Sequence, residues 1–209
     1  MIQLQLKKSD DELFACSKWW GDPDLPPSIK YPTYTDEDGD EYPYTFVCQL
    51  RLSDLAPLDA AFPQDGLLLF FAAIDYYLGY PVNPCMGEGL APEWCTRVIY
   101  VPAGEMDTLC HTVLVDDNDE PLSVAARAIT FSREASDGGA KLLAPPDLMP
   151  WEDWDAPCNG WKPLLQVDSD KDDDFELRFM DEGIFYFLIS PHDLKSLDFS
   201  HVRGAMVSL

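Results

Sequence analysis

Two stretches of the chain carry the same hydrophobic pattern. Residues 45–52 form a largely apolar strand with an amide, Gln49, inside it. A polar excursion follows, then Asp65-Gly66 and the apolar run Leu67-Leu68-Leu69-Phe70-Phe71. Further on, residues 163–168 form a second such strand around Gln166, and the excursion after it ends in Glu182-Gly183 and Ile184-Phe185-Tyr186-Phe187-Leu188. The gap from Gln to Gly is 17 residues in both, and a shift of 117 positions also places Phe62 on Phe179 and Phe70 on Phe187. Runs this apolar, bounded by turn residues, predict strands buried on both faces. The pattern predicts two related β units, about 45–74 and 162–190, within a single domain spanning 1–209.

The remaining pattern predicts further short strands. Residues 2–6 alternate as an edge strand does, and 97–101, 109–115, 175–180 and 202–208 read as strands. Residues 9–15 predict a helical turn capped by Ser9 or Asp10. Residues 122–131 fit helix or strand, since Ala125 to Ala128 favours one and Ile129-Thr130-Phe131 the other. Cys16 to Pro32 is rich in Pro and Trp and predicts an irregular loop. Acidic turns fall at 36–41 and 116–120, a long loop at 75–95, and a Pro/Trp-rich connection at 144–160. Ser190-Pro191 marks a helix start. The expected fold class is mainly β or α+β: roll-like antiparallel sheets from two related β units, with few short helices.

Charge narrows the function classes. The 209 residues carry 38 acids against 14 bases, a net charge of −24, while 46% are hydrophobic. That hydrophobic content supports a packed core, so the acidity belongs to a folded surface rather than to disorder. Phosphate recognition needs clustered Lys and Arg, and anionic membranes need the same, so neither nucleic acid nor membrane is expected as a partner. A basic protein would be attracted. The six cysteines form no C-x-x-C, and the N-terminus has no signal-peptide pattern. The expectation is a cytoplasmic protein with reduced thiols and no cofactor.

No catalytic motif stands out. Asp168, Asp170, Asp172, Asp173 and Asp174 fail as an EF-hand, because the sixth and twelfth loop positions hold Asp173 and Phe179 rather than Gly and Glu. His111, His192 and His201 have no thiol with an activating environment beside them, although a Cys110–His192 pair is one arrangement the residue types allow. Gln49 and Gln166 are the more informative pair, because an amide inside an apolar strand must find partners. Either both tie down the neighbouring Pro-rich loops, or both line a cleft between the two β units together with Lys18, Asp168 and Asp181. Ser17, Lys18 and Asp24 form a polar knot in which the lysine is expected to hold the loop through an acid. Trp151, Trp154 and Trp161 are read as anchors of the late loop or as an aromatic binding surface.

Several segments in order resemble one family. Ser17-Lys18-Trp19-Trp20-Gly21-Asp22-Pro23-Asp24-Leu25-Pro26-Pro27 is similar to its N-terminal signature. Phe46 to Leu50 with Asp54-Leu55, Asp65 to Leu68, Leu164 to Asp170 with Asp181 to Gly183, and Pro191 to Leu194 with Asp198 to Ser200 resemble its later motifs. This is the YwqG-like family, a bacterial family of unknown function, and the resemblance covers about residues 16–204. Leu142-Leu143-Ala144-Pro145-Pro146 stands where the family has a Leu-Leu-Gly-x-Pro segment. The resemblance implies a mainly β, roll-like fold and supplies no reaction. The occurrence of relatives near toxin genes associates the family with an immunity-type or interaction role. The reading is therefore a non-catalytic protein-interaction module for a basic partner, with a small-ligand site or enzyme between the β units as the alternative.

Overall fold

The computed structural model describes residues 1–36, 38–74, 89–134, 138–147, 158–172, 175–177, 179 and 183–207. The strands are β1 (Ile2–Lys8), β2 (Lys18–Trp19), β3 (Asp24–Leu25), β4 (Thr33–Thr35), β5 (Glu41–Pro43), β6 (Thr45–Arg51), β7 (Leu67–Ala72) and β8 (Thr96–Val101) in the first part. There follow β9 (Cys110–His111), β10 (Arg127–Ser132), β11 (Lys141–Leu142), β12 (Lys162–Asp168), β13 (Asp170–Asp172), β14 (Phe175–Leu177), β15 (Ile184–Ile189) and β16 (Arg203–Val207). The helices are short: α1 (Leu52–Leu55) and α2 (Pro191–Ser196), where Ser190 Oγ accepts from the Asp193 amide as the N-cap. The protein is mainly antiparallel β.

Ten strands form one sheet in the order β16-β15-β12-β11-β1-β10-β2-β6-β7-β8. Its two ends correspond strand for strand. Ala128, Lys18, Gln49, Leu69 and Ile99 stand side by side across β10, β2, β6, β7 and β8. Gln3, Lys141, Gln166, Tyr186 and Ala205 do the same across β1, β11, β12, β15 and β16. β1 and β10 meet at the centre and cross over in chain order: the N-terminal β1 pairs outward with β11 of the second end, and the later β10 with β2 of the first. The two ends are thereby interlocked.

The sheet curls until its edge strands approach. Thr96 Oγ1 in β8 donates to the Val202 carbonyl at 3.0 Å, and the Ala91 amide donates to the Gly204 carbonyl at 2.8 Å. Gly204 permits this approach, since a Cβ there would lie 3.1 Å from Thr96 Cγ2 and 3.2 Å from the Phe185 ring. The enclosed face is one core in which Phe70 and Phe187 meet edge to face at 5.2 Å between ring centroids. The opposite face carries two separate apolar clusters. One lies on Leu67, Leu69, Phe71 and Ile99 beneath the Pro-rich loop that holds Leu25 and Tyr31, and the other on Ile184, Tyr186 and Leu188 beside Cys158 and Trp161.

The matched glycines have a steric cause. A Cβ on Gly66 (φ +115°) would meet the Val101 carbonyl oxygen, at the end of β8, at 2.4 Å, and one on Gly183 would meet the Val207 carbonyl oxygen, at the end of β16, at 2.8 Å. Each glycine lets the chain enter the central strand of its three-stranded group against the terminus of the next strand.

Several sequence expectations are corrected. Residues 9–15 are turns rather than helix, with Ser9 Oγ accepting from the Asp11 amide in a local turn. The Cys16–Pro32 loop contains β2, which joins the main sheet, and β3, because its prolines flank these pairs without lying in them. The strand expected over 109–115 is confined to Cys110–His111. Residues 127–132 are strand, the pairing with β1 overriding the local preference of the alanines. The expected strand and loop at 175–180 and 75–95 fall partly, and Trp151, Trp154 and Asp181 wholly, outside the described residues.

Gly66→Ala should cost more than about 2 kcal/mol in urea unfolding, because left-half φ strain adds to the clash at Val101. Gly39→Ala, with φ +91° but nothing within 4 Å of the new Cβ, should cost only about 1 kcal/mol. Equal costs would mean that the approach to β8 imposes no constraint.

Candidate functional site

Both central amides sit in lysine–aspartate clusters built the same way. In the first, the backbone leaves β2 through Trp20 at φ +57° and returns so that Asp24 lies over the sheet. Asp24 is fully buried. Its Oδ2 accepts from Lys18 Nζ at 3.0 Å, Gln49 Nε2 at 2.5 Å and the Ala15 amide at 2.8 Å. Gln49 also donates to the Cys16 carbonyl at 3.0 Å and accepts from the Asp24 amide at 3.0 Å. His111 Nδ1 stands 2.7 Å from Asp24 Oδ1 and its Nε2 3.3 Å from Glu12 Oε1. The buried carboxylate is compensated by one cation, two further donors and a neighbouring imidazole, as burial of charge requires. Ser17 completes the knot, accepting from the Arg51 amide at 2.8 Å and donating to Asp54 Oδ2 at 3.1 Å.

The second cluster repeats the plan in a more open form. The chain leaves β11 through Leu143 at φ +49°. Asp147 Oδ2 accepts from Lys141 Nζ and from Gln166 Nε2, both at 2.7 Å. Here the carboxylate is 44% exposed, although Lys141 and Gln166 are buried. Burial alone would raise the Asp147 carboxyl, but the hydrogen bonds from Lys141 and Gln166 outweigh it and hold the group below its ordinary value. The Asp147 amide donates to the Tyr186 hydroxyl rather than to Gln166. As a result Gln166 Oε1 is buried without a hydrogen-bond partner among the described residues, and so is Gln3 Oε1, two strands away in β1. Asp168 accepts from the Gly139 amide at 2.9 Å, and its carboxyl is raised, chiefly by burial.

The structure thus gathers Lys18 with Gln49, and Gln166 with Lys141 and Asp147; Lys141 also acts electrostatically on Asp168. β6 and β12 are separated in the sheet by β2, β10, β1 and β11, so the amides lie about 24 Å apart along it at about 4.8 Å per strand. The polar knot expected at Ser17, Lys18 and Asp24 forms around the Lys18–Asp24 pair, whereas Lys141 and Asp147 were missed. A signal for them exists: Lys18-x5-Asp24 and Lys141-x5-Asp147 share their spacing, with Pro before each Asp.

Other candidates are placed as follows. Cys110 is exposed with its thiol 3.7 Å from the Thr108 carbonyl oxygen, and His192 lies 3.2 Å from Asp193. Cys16, Cys48, Cys110 and Cys158 are free, while Cys95 is disulfide-bonded, correcting the expectation of wholly reduced thiols. Ligand atoms of Asp193, Asp198 and His201 lie within 4.8 Å of one another. Ser190 and Ser200 hydrogen-bond the two carboxylates as a helix cap and a local turn, which accounts for their placement.

A surface groove of about 270 Å³ lies beside the first cluster, lined by Trp20 to Pro23, Tyr31, Tyr34, Tyr42 to Phe46, Ile74, Leu114 and Leu122 to Val124. β3 and β9 set its walls. Asp24 pairs with His111, the Thr112 amide donates to the Pro23 carbonyl at 2.9 Å, and the Gly21 amide donates to the Val124 carbonyl at 3.1 Å. Each lining arm ends in an acidic turn folded around an aspartate. Asp36 Oδ1 accepts from the amides of Asp38 and Asp40, and Asp116 Oδ1 from those of Asn118 and Glu120. The latter bonds hold the Asp116 carboxyl below its ordinary value.

The architecture defines the class of protein: a curled, interlocked antiparallel β sheet whose two ends each hold a Lys–Asp–Gln cluster. A profile of the family described as domain of unknown function (DUF1963) matches residues 17–147 and 133–206, and the chain belongs to that family. No curated protein matches it. Among the described residues no helix is long and apolar enough to cross a membrane.

Lys18→Met should cost about 3–5 kcal/mol in urea unfolding, because it strands a buried carboxylate. Lys141→Met, whose partner Asp147 can be solvated, should cost only about 1 kcal/mol. The reverse order would show that the second cluster, not the first, carries the stability.

Proposed function

We propose that the protein is a non-catalytic interaction module of the YwqG-like kind that binds a basic protein partner, the immunity-type masking of such a partner being one form of the role. The observation that carries the reading is the groove: an apolar and aromatic concavity whose two arms both end in acidic turns. Exposed Tyr42, Val113, Val115 and Leu122 extend its apolar surface. An apolar centre with a charged rim is the anatomy of a protein-binding patch, and the rim charge selects a basic partner and speeds encounter. Neither nucleic acid nor membrane fits a surface of this sign. A cytoplasmic setting belongs to the same proposal; the four free thiols support it, and the disulfide at Cys95 argues the other way. An unstructured Lys/Arg-rich peptide should bind at about 50 mM salt and lose about tenfold in affinity by about 300 mM, as screening shortens the reach of the rim. Failure to bind at the lower salt, by calorimetry, removes the reading.

A second reading has its own observation. The unpartnered oxygens of Gln3 and Gln166 belong to β1 and β12, the two strands that flank β11, and a donor-bearing ligand long enough to span β11 would satisfy both. Such a site would lie within the second end of the sheet, at β12, rather than between the two β units. In a crystal structure at high resolution, non-water density bridging the two oxygens is the expected sign of it, whereas one ordered water in that position would dispose of it.

A further inference from the structure

We infer that the tyrosine groove receives a single cationic side chain, an arginine or lysine carried on an extended segment of a partner protein. This rests on the reading of the protein as an acidic interaction module, and it names the place and chemistry of the contact.

The groove presents ring surface rather than hydroxyls. Tyr31 Oη donates to the Tyr44 carbonyl at 2.8 Å, and Tyr44 Oη donates to the Trp94 carbonyl, so both hydroxyls are used within the protein. Tyr34 lies at the centre of an aromatic group, with ring centroids 5.8 Å from Tyr42, 5.0 Å from Tyr44 and 5.6 Å from Trp94. Aromatic faces with their negative quadrupole attract a cation.

The charges point the same way. Asp22 lines the groove, and among the described residues no Lys or Arg does. The hydroxyls of Tyr31 and Tyr34 are raised, first by burial, and in addition by the negative charge of Asp22 on Tyr31 and of Asp36 on Tyr34. Arg97 acts on Tyr44 in the opposite sense and stands outside the lining. A carboxylate-bearing side chain would be repelled by Asp22 and Asp36, and a neutral apolar one would gain nothing from them.

Size selects a side chain. About 270 Å³ falls below the roughly 300–1,000 Å³ of sites that enclose a whole small molecule. The aliphatic stem of an arginine or lysine packs on apolar surface while its head stays polar, and Leu114, Leu122 and Val124 supply that surface. Val113 and Val115, 47% and 48% exposed on the same arm, extend the contact beyond the groove to residues flanking the cation, which a free small cation lacks.

The test uses the full chain and three labelled or titrated probes: nona-arginine, the uncharged isostere nona-citrulline, and N-acetyl-arginine amide. Nona-arginine should bind and nona-citrulline should not. Tyr42→Ala, at a 43% exposed ring, should leave the melting temperature unchanged and weaken nona-arginine about three- to tenfold. Asp22→Asn should weaken it similarly. Unchanged binding by both variants, with the wild type still binding, overturns the groove as the site and leaves the broader reading standing. N-acetyl-arginine amide binding as tightly as nona-arginine overturns the assignment to a protein segment. No binding of nona-arginine by the wild type removes both this inference and the reading it rests on.

Discussion

The groove depends on one buried carboxylate. Asp24 has no solvent contact, yet it reaches the sheet through Lys18 and Gln49, the N-terminal segment through the Ala15 amide, and β9 through His111. Leaving any of these unpaired would expose the desolvation cost of a charge in the protein interior. The Pro-rich loop has few backbone bonds of its own, because its prolines lack donors. The side-chain cluster therefore does for this loop what a ladder does for a strand. From Asp24 onward the consequences are geometric: β3 pairs with β9, and that pairing sets the arm of residues 112–124 against Trp20 to Pro23.

The two ends of the sheet show how one plan yields different surfaces. Lys18, Gln49 and Asp24 correspond to Lys141, Gln166 and Asp147 by register and by hydrogen bonds, and Trp20 and Leu143 both take a left-handed backbone where the loop departs. The difference lies in the partner of the aspartate amide. In the first cluster it bonds Gln49 and closes the amide; in the second it bonds the Tyr186 hydroxyl, at a position where the first end has Leu69. A tyrosine for a leucine in the central strand thus leaves one glutamine oxygen unsatisfied and one carboxylate half in water. Buried amides are under pressure to be fully bonded, and the two amide oxygens that lack a hydrogen bond among the described residues, those of Gln3 and Gln166, both belong to the end where Asp147 is solvated.

The long apolar strands were legible because nothing competes with their pattern. Residues 67–72 and 184–189 are apolar throughout and 45–51 largely so, and they occupy the sheet as their composition requires. The mainly antiparallel β class, the cap at Ser190 and the Lys18–Asp24 pair were readable for similar reasons of composition and short spacing. Strands β2 and β11 were not readable, because two residues show no period; their place comes from neighbours far away in the chain. The groove was illegible for the same reason. Its walls come from residues 20–46, Ile74 and the arm 114–124, and only the pairing of β3 with β9 brings them together. Gln49 and Gln166 stand out as amides in apolar strands and Asp24 by its short spacing from Lys18, whereas Asp147, the counterpart of Asp24, is hidden among 38 acids.

That abundance of acid is more one-sided at the surface than in the sequence. Of the 14 bases, Lys18, Arg127 and Lys141 are buried, whereas Asp24 is the buried acid among the described residues. Two of the three buried bases balance the cluster aspartates on which the loops depend. The fold therefore withdraws positive charge from solvent for a structural reason and leaves the negative charge outside, with acidic turns at the tips of both arms of the groove. A surface field of this sign acts over about a Debye length, roughly 8 Å at physiological salt, which is enough to reach across a groove of side-chain width. The same lysine–aspartate pairing that holds the loop to the sheet thus contributes to the potential at the surface the loop helps to build.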